Sequence, residues 1–305
     1  MERAAYLQPV DFIKAPPREW SAQEALDYTR WLATHHYENF QVVSFLLPKR
    51  LHQDFYNVYS FCRWADDLGD EIGDTSESLR LLAWWRAELH RMYEGSASHP
   101  VFIALKDTAA KHQLTREPFD DLITAFERDQ TTTRYRNFEE VFEYCKYSAN
   151  PVGRLVLGLC GYRDAERYAL SDATCTALQL ANFWQDVTVD WQKDRVYLPL
   201  DLLEKHGYAV DGIGERRFNS GFRAAMKEAV EVARALFLKG LPLADRVDRR
   251  LAIDLELFSR GGMKVLEKIE RQDYNVLSAR PAVSKVERVV LLLGALSRRA
   301  FRRAA

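Results

Sequence analysis

The sequence predicts an all-α fold, and three observations lead to that prediction. Apolar residues recur every three or four positions over most of the 305-residue chain, which is the spacing of an amphipathic helix. No pattern of alternating strand and helix is present. Only 14 glycines and 10 prolines interrupt the helical pattern. We therefore expect a helical bundle around a central apolar cavity, a single domain spanning residues 1–305 with an N-terminal arm at 1–20.

The helices can be assigned in order along the chain. Ser21 and Glu24 have the spacing of a capping box, which predicts a helix from there to residue 31. The helical periodicity then predicts helices at residues 51–71, 76–93, 117–129, 138–149, 171–191, 220–238 and 247–270. A last helix is expected from about residue 284 to 301, with a basic tail that reaches 305. Short segments with Gly or Pro separate the helices, among them Asn150-Pro151, Gly261-Gly262 and Arg280-Pro281.

Charge and cysteine content argue against several classes of function. The chain carries 43 basic and 44 acidic residues, a net charge of −1, so no basic surface for nucleic acid is predicted. The four cysteines lie far apart without a CxxC pair, which argues against a thiolate zinc site and favours reduced thiols. Residues 1–17 contain no apolar signal segment, and the longest apolar run, 289–296, is far shorter than the about 20 residues that span a bilayer. These features predict a cytoplasmic protein.

The basic C-terminal segment, residues 288–303, has two open interpretations. It joins an apolar stripe to the arginines Arg298, Arg299, Arg302 and Arg303. A packed last helix with a frayed basic tail explains this pattern. A helix lying on an anionic membrane explains it too, because each basic residue near such a surface adds about 1 kcal/mol of binding. The second interpretation predicts peripheral contact with the inner face of the membrane.

Two helical segments carry acidic residues spaced four apart. Asp66 and Asp70 form one pair. In the second segment Asn182, Asp186 and Asp190 form a ladder of oxygen donors, because residues i and i+4 lie one turn apart on the same helix face. Like charges on one face are unfavourable unless a cation neutralises them, and both ladders interrupt otherwise apolar and aromatic helices. The pattern therefore favours a cation site over a solvated helix face.

The donor atoms indicate which cation is expected. Carboxylate and amide oxygens without nearby Cys or His favour a hard ion. Mg²⁺ uses one or two carboxylates together with water and substrate phosphate oxygens, which suits these short ladders. Ca²⁺ would require more ligands on a loop such as an EF-hand, and no such pattern is present. A di-iron bundle would require Glu-x-x-His on two helices, and none of the seven histidines follows a Glu by three residues.

Two opposing ladders with Mg²⁺ between them would bind a diphosphate group. The metal and nearby arginines would neutralise the leaving group as negative charge builds on it. Arg63 lies three residues before Asp66, and Arg195 follows the second ladder, so each is a candidate for this role or for a structural ion pair. A wall of Trp, Tyr and Phe would stabilise the remaining carbocation and exclude water. The predicted chemistry is therefore the ionisation of an organic diphosphate.

These motifs resemble those of the squalene/phytoene synthase family, which has an all-α isoprenoid-synthase fold. The family's two aspartate-rich motifs are similar to Tyr59-x-x-Cys62-Arg63-x-x-Asp66-Asp67-x-x-Asp70 and to Gln179-x-x-Asn182-x-x-x-Asp186-x-x-x-Asp190 with Asp194-Arg195-x-Tyr197. The resemblance covers about residues 35–284. It implies several Mg²⁺ ions, bridged by diphosphate, on Asp66, Asp70, Asn182, Asp186 and Asp190. It also implies a catalytic role for Tyr59 and for the four aspartates, and substrate contacts for Arg63, Gln179, Asn182, Gln185, Arg195, Tyr197, Asn39 and Phe40.

Within the family, the resemblance points to the bacterial hydroxysqualene synthase branch, through residues 36–40, 150–155, 183–186 and 260–262. That branch ionises presqualene diphosphate, opens its cyclopropane ring and captures the cation with water, in the pathway toward squalene and hopanoids. Glu38 and Gln185 stand where condensing members have Lys and Arg, so two cations that could hold a second diphosphate are absent from the sequence. Gly262 stands where dehydrosqualene-type enzymes have a pocket Tyr. The resemblance therefore implies a lyase of the hydroxysqualene synthase type.

Two alternatives stay open at the level of sequence. One is a head-to-head condensing enzyme that makes presqualene diphosphate, squalene or phytoene, and the other is a non-catalytic scaffold that retains the fold. A scaffold would have eroded ladders, and both ladders are intact. Gly212-x-Gly214 lacks the third glycine of a dinucleotide-binding loop, so no use of NAD(P)H is expected. The expected partners are an isoprenoid diphosphate substrate and the pathway enzymes that supply this substrate and reduce the product.

Overall fold

Helices form the regular structure of the chain. The computed structural model describes residues 6–35, 48–284, 286–287, 290–292 and 294–295. Within these ranges there is no β-strand, and the extended backbone makes one isolated parallel bridge between Arg134 and Val196. The prediction of an all-α fold is confirmed.

The helices follow one another along the chain with short connections. They are α1 (Pro9–Phe12), α2 (Ala22–Thr34), α3 (Lys49–Asp70), α4 (Thr75–Tyr93), α5 (Pro100–His112), α6 (Glu117–Asp129), α7 (Phe138–Ser148), α8 (Asn150–Leu159), α9 (Ala165–Gln185), α10 (Val187–Gln192), α11 (Leu200–Lys205), α12 (Ser220–Gly240) and α13 (Arg249–Arg271). Two short 3₁₀ helices lie at Val210–Gly212 and Leu241–Asp245.

Local sequence signals determine where most of these helices begin. The predicted capping box opens α2: the Ser21 hydroxyl accepts from the Glu24 N–H, and the Glu24 carboxylate accepts from the Ser21 N–H. Side-chain oxygens cap five further helices in the manner expected for Asp and Asn, namely Asp74, Asn137, Asp164, Asn219 and Asp248. Because these caps are local, the sequence pattern placed the starts of α4, α7, α12 and α13 within two residues.

The sequence pattern missed two helices and misplaced a third. α5 and α8 carry Pro100 and Pro151 in their first turn, where proline is tolerated because its missing N–H would have no intrahelical acceptor. The prediction of one helix over 171–191 is wrong: the helix starts at Ala165, ends at Gln185 and continues as α10 only after Asp186. The Asp164 cap explains the earlier start.

The described helices pack into two compact units, which are considered separately. The first unit contains residues up to 131 and residues 154–163. In it α3 packs against α2, α4, α5 and α6 around an aromatic core. Trp64 of α3 stacks on Trp85 of α4 with ring centroids 5.0 Å apart, and Phe12 of the N-terminal arm packs edge-on against Trp64 at 5.1 Å. The described part of the arm is therefore integrated into this unit.

The second unit contains residues 132–153 and the chain from 164 onward. Here α9 packs along α12 and contacts α7 and α13. The buried Trp184 of α9 donates its indole N–H to the Ala229 carbonyl of α12 at 3.1 Å. Gly262 lets α13 approach α12 closely, because a Cβ at this position would collide with the ring of Phe237. Gly261 and Gly262 therefore lie inside a continuous helix and do not separate two helices.

Three expectations about the whole chain have different outcomes. The prediction of a single domain over residues 1–305 stays a prediction. Most of the last helix and its basic tail, expected at 284–305, lies outside the described residues. Among the residues that are described, no helix combines the length and the apolar character needed to cross a membrane.

Candidate active site

The first aspartate motif lies on α3 in the first unit. Arg63 is buried, with 9% of its side chain exposed. Its Nη1 donates to Oδ2 of Asp66 at 2.8 Å, and its Nη2 contacts Oδ1 of the buried Asp67. One guanidinium therefore offsets two carboxylates within a turn of the same helix. This is the ion-pair role considered for Arg63, and its contact with substrate stays a prediction.

The predicted cation ligands of this motif are accessible. The Asp66 side chain is 39% exposed, and Asp70 is exposed at the last position of α3. Gln130 donates its side-chain amide to the Gly69 carbonyl at 2.9 Å, which fixes the helix end that carries Asp70. Tyr59 lies half-buried about two turns before Asp66 on the same helix. The pair Asp66 and Asp70 is therefore presented one turn apart on a well-anchored helix.

The second motif lies at the junction of α9 and α10 in the second unit. Asp186 has φ −106° and ψ 15°, so it leaves the helical conformation and ends α9. The expected single continuous helix is therefore interrupted at the centre of the ladder. Two backbone hydrogen bonds bridge the break: the Asp186 N–H donates to the Asn182 carbonyl at 2.9 Å, and the Asp190 N–H donates to the Asp186 carbonyl at 2.8 Å. These bonds keep the three oxygen-bearing residues one turn apart along the chain.

Arg280, which the sequence did not suggest as a site residue, contacts the centre of this ladder. Its Nη2 donates to Oδ2 of Asp186 at 3.0 Å and its Nε donates to Oδ1, a bidentate ion pair. The hydrogen bond from Asp186 raises the pKa of Arg280, and the charge of Asp190 adds to the effect. Next to this pair, the side-chain amide of Gln185 donates to the Pro281 carbonyl. In the sequence, residues 280–281 are recognisable only as a break between helices.

The chain after the ladder is held by the segment at residues 133–136. Asp194 adopts a left-handed conformation, with φ 56°, and its Oδ1 accepts from Nη2 of Arg134 at 2.6 Å. Tyr197 is buried and stacks on Phe183 of α9, with ring centroids 3.6 Å apart. Arg195, between these two anchored residues, is half-buried. The fold therefore fixes the position of the segment that follows Asp190.

The other predicted site residues have mixed outcomes. Gln179 is half-buried and Asn182 is exposed, both on α9 and one turn apart or less. Asn39 and Phe40 lie outside the described residues. Substrate contacts of Gln179, Asn182, Gln185, Arg195, Tyr197, Asn39 and Phe40 stay predictions.

The donor atoms of the two motifs fit a hard divalent cation that its substrate helps to hold. In the described ranges, no three side chains of His, Cys, Asp or Glu come together as a metal-binding group. Each motif instead offers a few accessible carboxylate and amide oxygens. Mg²⁺ completes such a sparse ligand set with water and phosphate oxygens. The residues therefore suit Mg²⁺ bound together with a diphosphate better than a bare ion.

Comparison with known proteins identifies the family. The sequence model of the family described as squalene/phytoene synthase matches residues 33–287. The hydroxysqualene synthase of Rhodopseudomonas palustris is 32% identical over 273 residues, which cover 88% of this chain and 91% of that protein. The phytoene synthase of Thermus thermophilus is 33% identical over 259 residues, which cover 84% of this chain and 87% of that protein.

A solved structure agrees with the sequence comparison. The crystal structure of squalene synthase HpnC from Alicyclobacillus acidocaldarius superposes with a TM-score of 0.80 at 45% identity. The match covers 83% of this chain and 96% of that chain. The chain is therefore an isoprenoid synthase enzyme that belongs to the squalene/phytoene synthase family.

Proposed function

We propose that the chain converts presqualene diphosphate and water into hydroxysqualene and diphosphate in a Mg²⁺-dependent reaction. The observation that carries the proposal is the pair of oxygen ladders, since the second keeps its one-turn spacing through a helix break. Two similar proteins support the choice of reaction: the hydroxysqualene synthase at 32% identity and HpnC at 45%. Isoprenoid diphosphates are the substrates expected of the family.

In this proposal the five oxygen-bearing residues hold the metal ions: Asp66, Asp70, Asn182, Asp186 and Asp190. Bound Mg²⁺ would neutralise the phosphate oxygens and make the diphosphate a better leaving group. Arg63 orients Asp66 through the hydrogen bond from Nη1 to Oδ2. Arg280 places a positive charge beside Asp186 and limits its repulsion with Asp190. These two arginines keep the ladders ordered before substrate binds.

The proposed reaction is balanced without a redox cofactor. The bond between carbon and the diphosphate oxygen breaks, and its electron pair leaves with the diphosphate. The resulting cation opens its cyclopropane ring, and the oxygen of a water molecule forms the new bond to carbon. That water loses one proton to solvent, so the product is a tertiary alcohol. Because no hydride is transferred, NAD(P)H is not required.

A head-to-head condensing activity is the second candidate, and the phytoene synthase at 33% identity favours it. Such an enzyme binds two prenyl diphosphates and therefore needs more positive charge. At position 185, where condensing members have Arg, the chain has Gln185, and its amide donates to the Pro281 carbonyl. A neutral side chain engaged by the backbone does not replace the missing cation. This contact supports the hydroxysqualene synthase proposal over the condensing alternative.

Product analysis by mass spectrometry tests the proposal. The purified protein would be incubated with Mg²⁺ and either presqualene diphosphate or farnesyl diphosphate, in ordinary water and in water enriched in heavy oxygen. We expect hydroxysqualene from presqualene diphosphate only, with the heavy oxygen in its hydroxyl group, and no product when EDTA removes the metal. Turnover of farnesyl diphosphate alone would establish the condensing alternative. An unlabelled alcohol would overturn capture of the cation by water.

A further inference from the structure

A cavity of about 570 Å³ lies in the first unit, and none of the motif aspartates lines it. The N-terminal arm, α4 and the start of α5 form its walls. Most of the wall is apolar and aromatic, including Tyr6, Phe12, Ile13, Trp20, Leu81 and Trp84. This volume and this lining are typical of a site for a small organic molecule.

His99 brings a hydrogen-bond donor to this cavity. The ring is 7% exposed and is surrounded by other aromatic rings, with its centroid 4.4 Å from that of Trp64 and 5.0 Å from that of Phe12. Burial lowers the pKa of His99 to about 3, so the imidazole is neutral at physiological pH. Its Nδ1 accepts from the Val101 N–H at 3.3 Å, and therefore Nε2 carries the proton. That N–H finds no acceptor among the described residues.

Glu88 brings an acceptor to the same cavity. Its side chain is 6% exposed, and its Oε1 is paired with Arg91. Its Oε2 is buried and has no hydrogen-bond donor in the part of the chain that the structure describes. A buried polar atom without a partner costs about 1–3 kcal/mol, and two line one cavity here. A ligand that satisfied both atoms would recover this free energy.

The charges around the cavity narrow the class of ligand. Arg18 and Arg80 also line it, so an organic cation would meet two positive charges against one carboxylate. Both guanidinium groups already have acidic partners: Arg18 lies 3.6 Å from Glu24, and Arg80 lies 2.6 Å from Glu77. They are therefore weak sites for an anion. A hydroxyl group both accepts and donates, which matches the Nε2–H of His99 together with Oε2 of Glu88.

We propose that this cavity binds an apolar alcohol, with the hydroxyl group between His99 and Glu88 and the hydrocarbon chain against the aromatic wall. The site itself does not depend on the proposed reaction. Hydroxysqualene belongs to this ligand class, and its identification as the natural ligand does rest on the proposed function. In that case the cavity would be a second binding place for the product, outside the aspartate motifs.

Photo-crosslinking with a diazirine derivative of farnesol, a C15 isoprenoid alcohol, tests the proposal on the full chain. Labelled peptides would be mapped by mass spectrometry, and unlabelled farnesol, farnesoic acid and farnesene would compete for the site. We expect labels within residues 6–20 and 80–100. Farnesol should compete about tenfold more strongly than the hydrocarbon or the acid, because only the alcohol satisfies both buried polar atoms. Equal competition by farnesene, or labels outside these segments only, would overturn the alcohol site.

Matched variants connect the binding to the named side chains. His99→Phe keeps an aromatic ring and removes the donor, so farnesol should bind about tenfold more weakly. Ile13→Trp fills the cavity from the arm and should abolish the labelling even if His99→Phe does not fold. Ser98→Ala, at an exposed position of the rim, should bind farnesol as the unmodified protein does. Unchanged affinity in both His99→Phe and Ile13→Trp would refute the proposal.

Two controls separate this site from the proposed function. Asp186→Asn changes the second ladder and should leave the labelling of residues 6–20 and 80–100 unchanged. Loss of this labelling in Asp186→Asn would overturn the independent site. Because burial keeps the pKa of His99 at about 3, farnesol affinity should be flat from about pH 5 to pH 8. A loss of affinity on acidification within that range would contradict the neutral donor.

Discussion

The two aspartate motifs neutralise their negative charge in different ways. In the first, Arg63 lies on the same helix as its partners and is 9% exposed. In the second, the cation is Arg280, which is 52% exposed and stands 94 residues after Asp186 in the chain. The first pairing can be read from a helical spacing, whereas the second exists only once the chain has folded. The buried pair should also matter far more for stability than the exposed one.

The largest effects are expected on activity, where the two motifs should be equivalent. Asp66→Asn and Asp186→Asn should each lower hydroxysqualene formation about a thousandfold or more, because each removes a carboxylate that holds the metal. Helical content, measured by circular dichroism, should not change. Asp107→Asn and Asp201→Asn, at exposed positions outside the motifs, are the matched controls and should retain activity. Full turnover by either motif variant would remove its motif from the proposed site.

The motifs should differ sharply when their arginines are removed. Arg63→Met leaves the buried Asp67 without its guanidinium, which should reduce the free energy of unfolding by about 3–5 kcal/mol. Urea denaturation followed by circular dichroism measures the loss. Adding Asp67→Leu to Arg63→Met should recover much of it, because the uncompensated buried charge is then gone. A loss below about 1 kcal/mol would mean that the pair behaves as a surface ion pair.

A third carboxylate sharpens the comparison because neither kind of cation accompanies it. Asp254 of α13 is 2% exposed, and neither of its oxygens has a hydrogen-bond partner within the described ranges. Burial, with a smaller contribution from the charge of Asp248, raises the pKa of Asp254 from 3.8 to about 8. Between these two pH values the folded protein holds a proton that the unfolded chain has lost. Stability should therefore fall as pH rises through this range, by at most about 1.4 kcal/mol per pH unit.

Replacing Asp254 tests that pH dependence. Asp254→Asn keeps the shape of the side chain and removes its titration, so the free energy of unfolding should lose this slope between about pH 4 and pH 8. The variant should be more stable than the unmodified protein at pH 8. Urea denaturation at four pH values measures both quantities, with Asp107→Asn as the control. An unchanged slope in Asp254→Asn would show that Asp254 is ionised in the folded protein.

The smallest effect is expected at the exposed pair of the second motif. Arg280→Met should lower the free energy of unfolding by less than about 1 kcal/mol, because an ion pair open to solvent contributes little. The same urea experiment used for Arg63→Met gives a direct comparison of the two arginines. A loss as large as that of Arg63→Met would show that Arg280 anchors the chain around Asp186.

Signals confined to a few residues were readable from the sequence. The Ser21 and Glu24 capping box was predicted and is present, as is the one-turn spacing of Asp66 and Asp70. The all-α fold, the family and the assignment as an enzyme are confirmed. Each of these depends on a periodicity or a motif within one continuous segment.

Features that depend on tertiary contacts could not be predicted. The break at Asp186 follows from its backbone conformation, and the spacing of the ladder gives no sign of it. The ion pair of Asp186 with Arg280 and the cavity around His99 join segments far apart in the chain. Metal binding, the substrate contacts and the convergence of the two motifs stay predictions, because they concern bound groups and the arrangement of the two units.

Binding of Mn²⁺ in the presence of diphosphate tests the central claim most directly, that both motifs hold the same metal-bound anion. Mn²⁺ would replace Mg²⁺ and be followed by electron paramagnetic resonance in the unmodified protein, Asp66→Asn and Asp186→Asn. We predict that each variant alone weakens the diphosphate-dependent binding about tenfold or more, as expected for the loss of a group that supports a shared site. Diphosphate-dependent binding that stays unchanged in either variant would contradict a shared site and leave the two ladders as separate features of a helical protein.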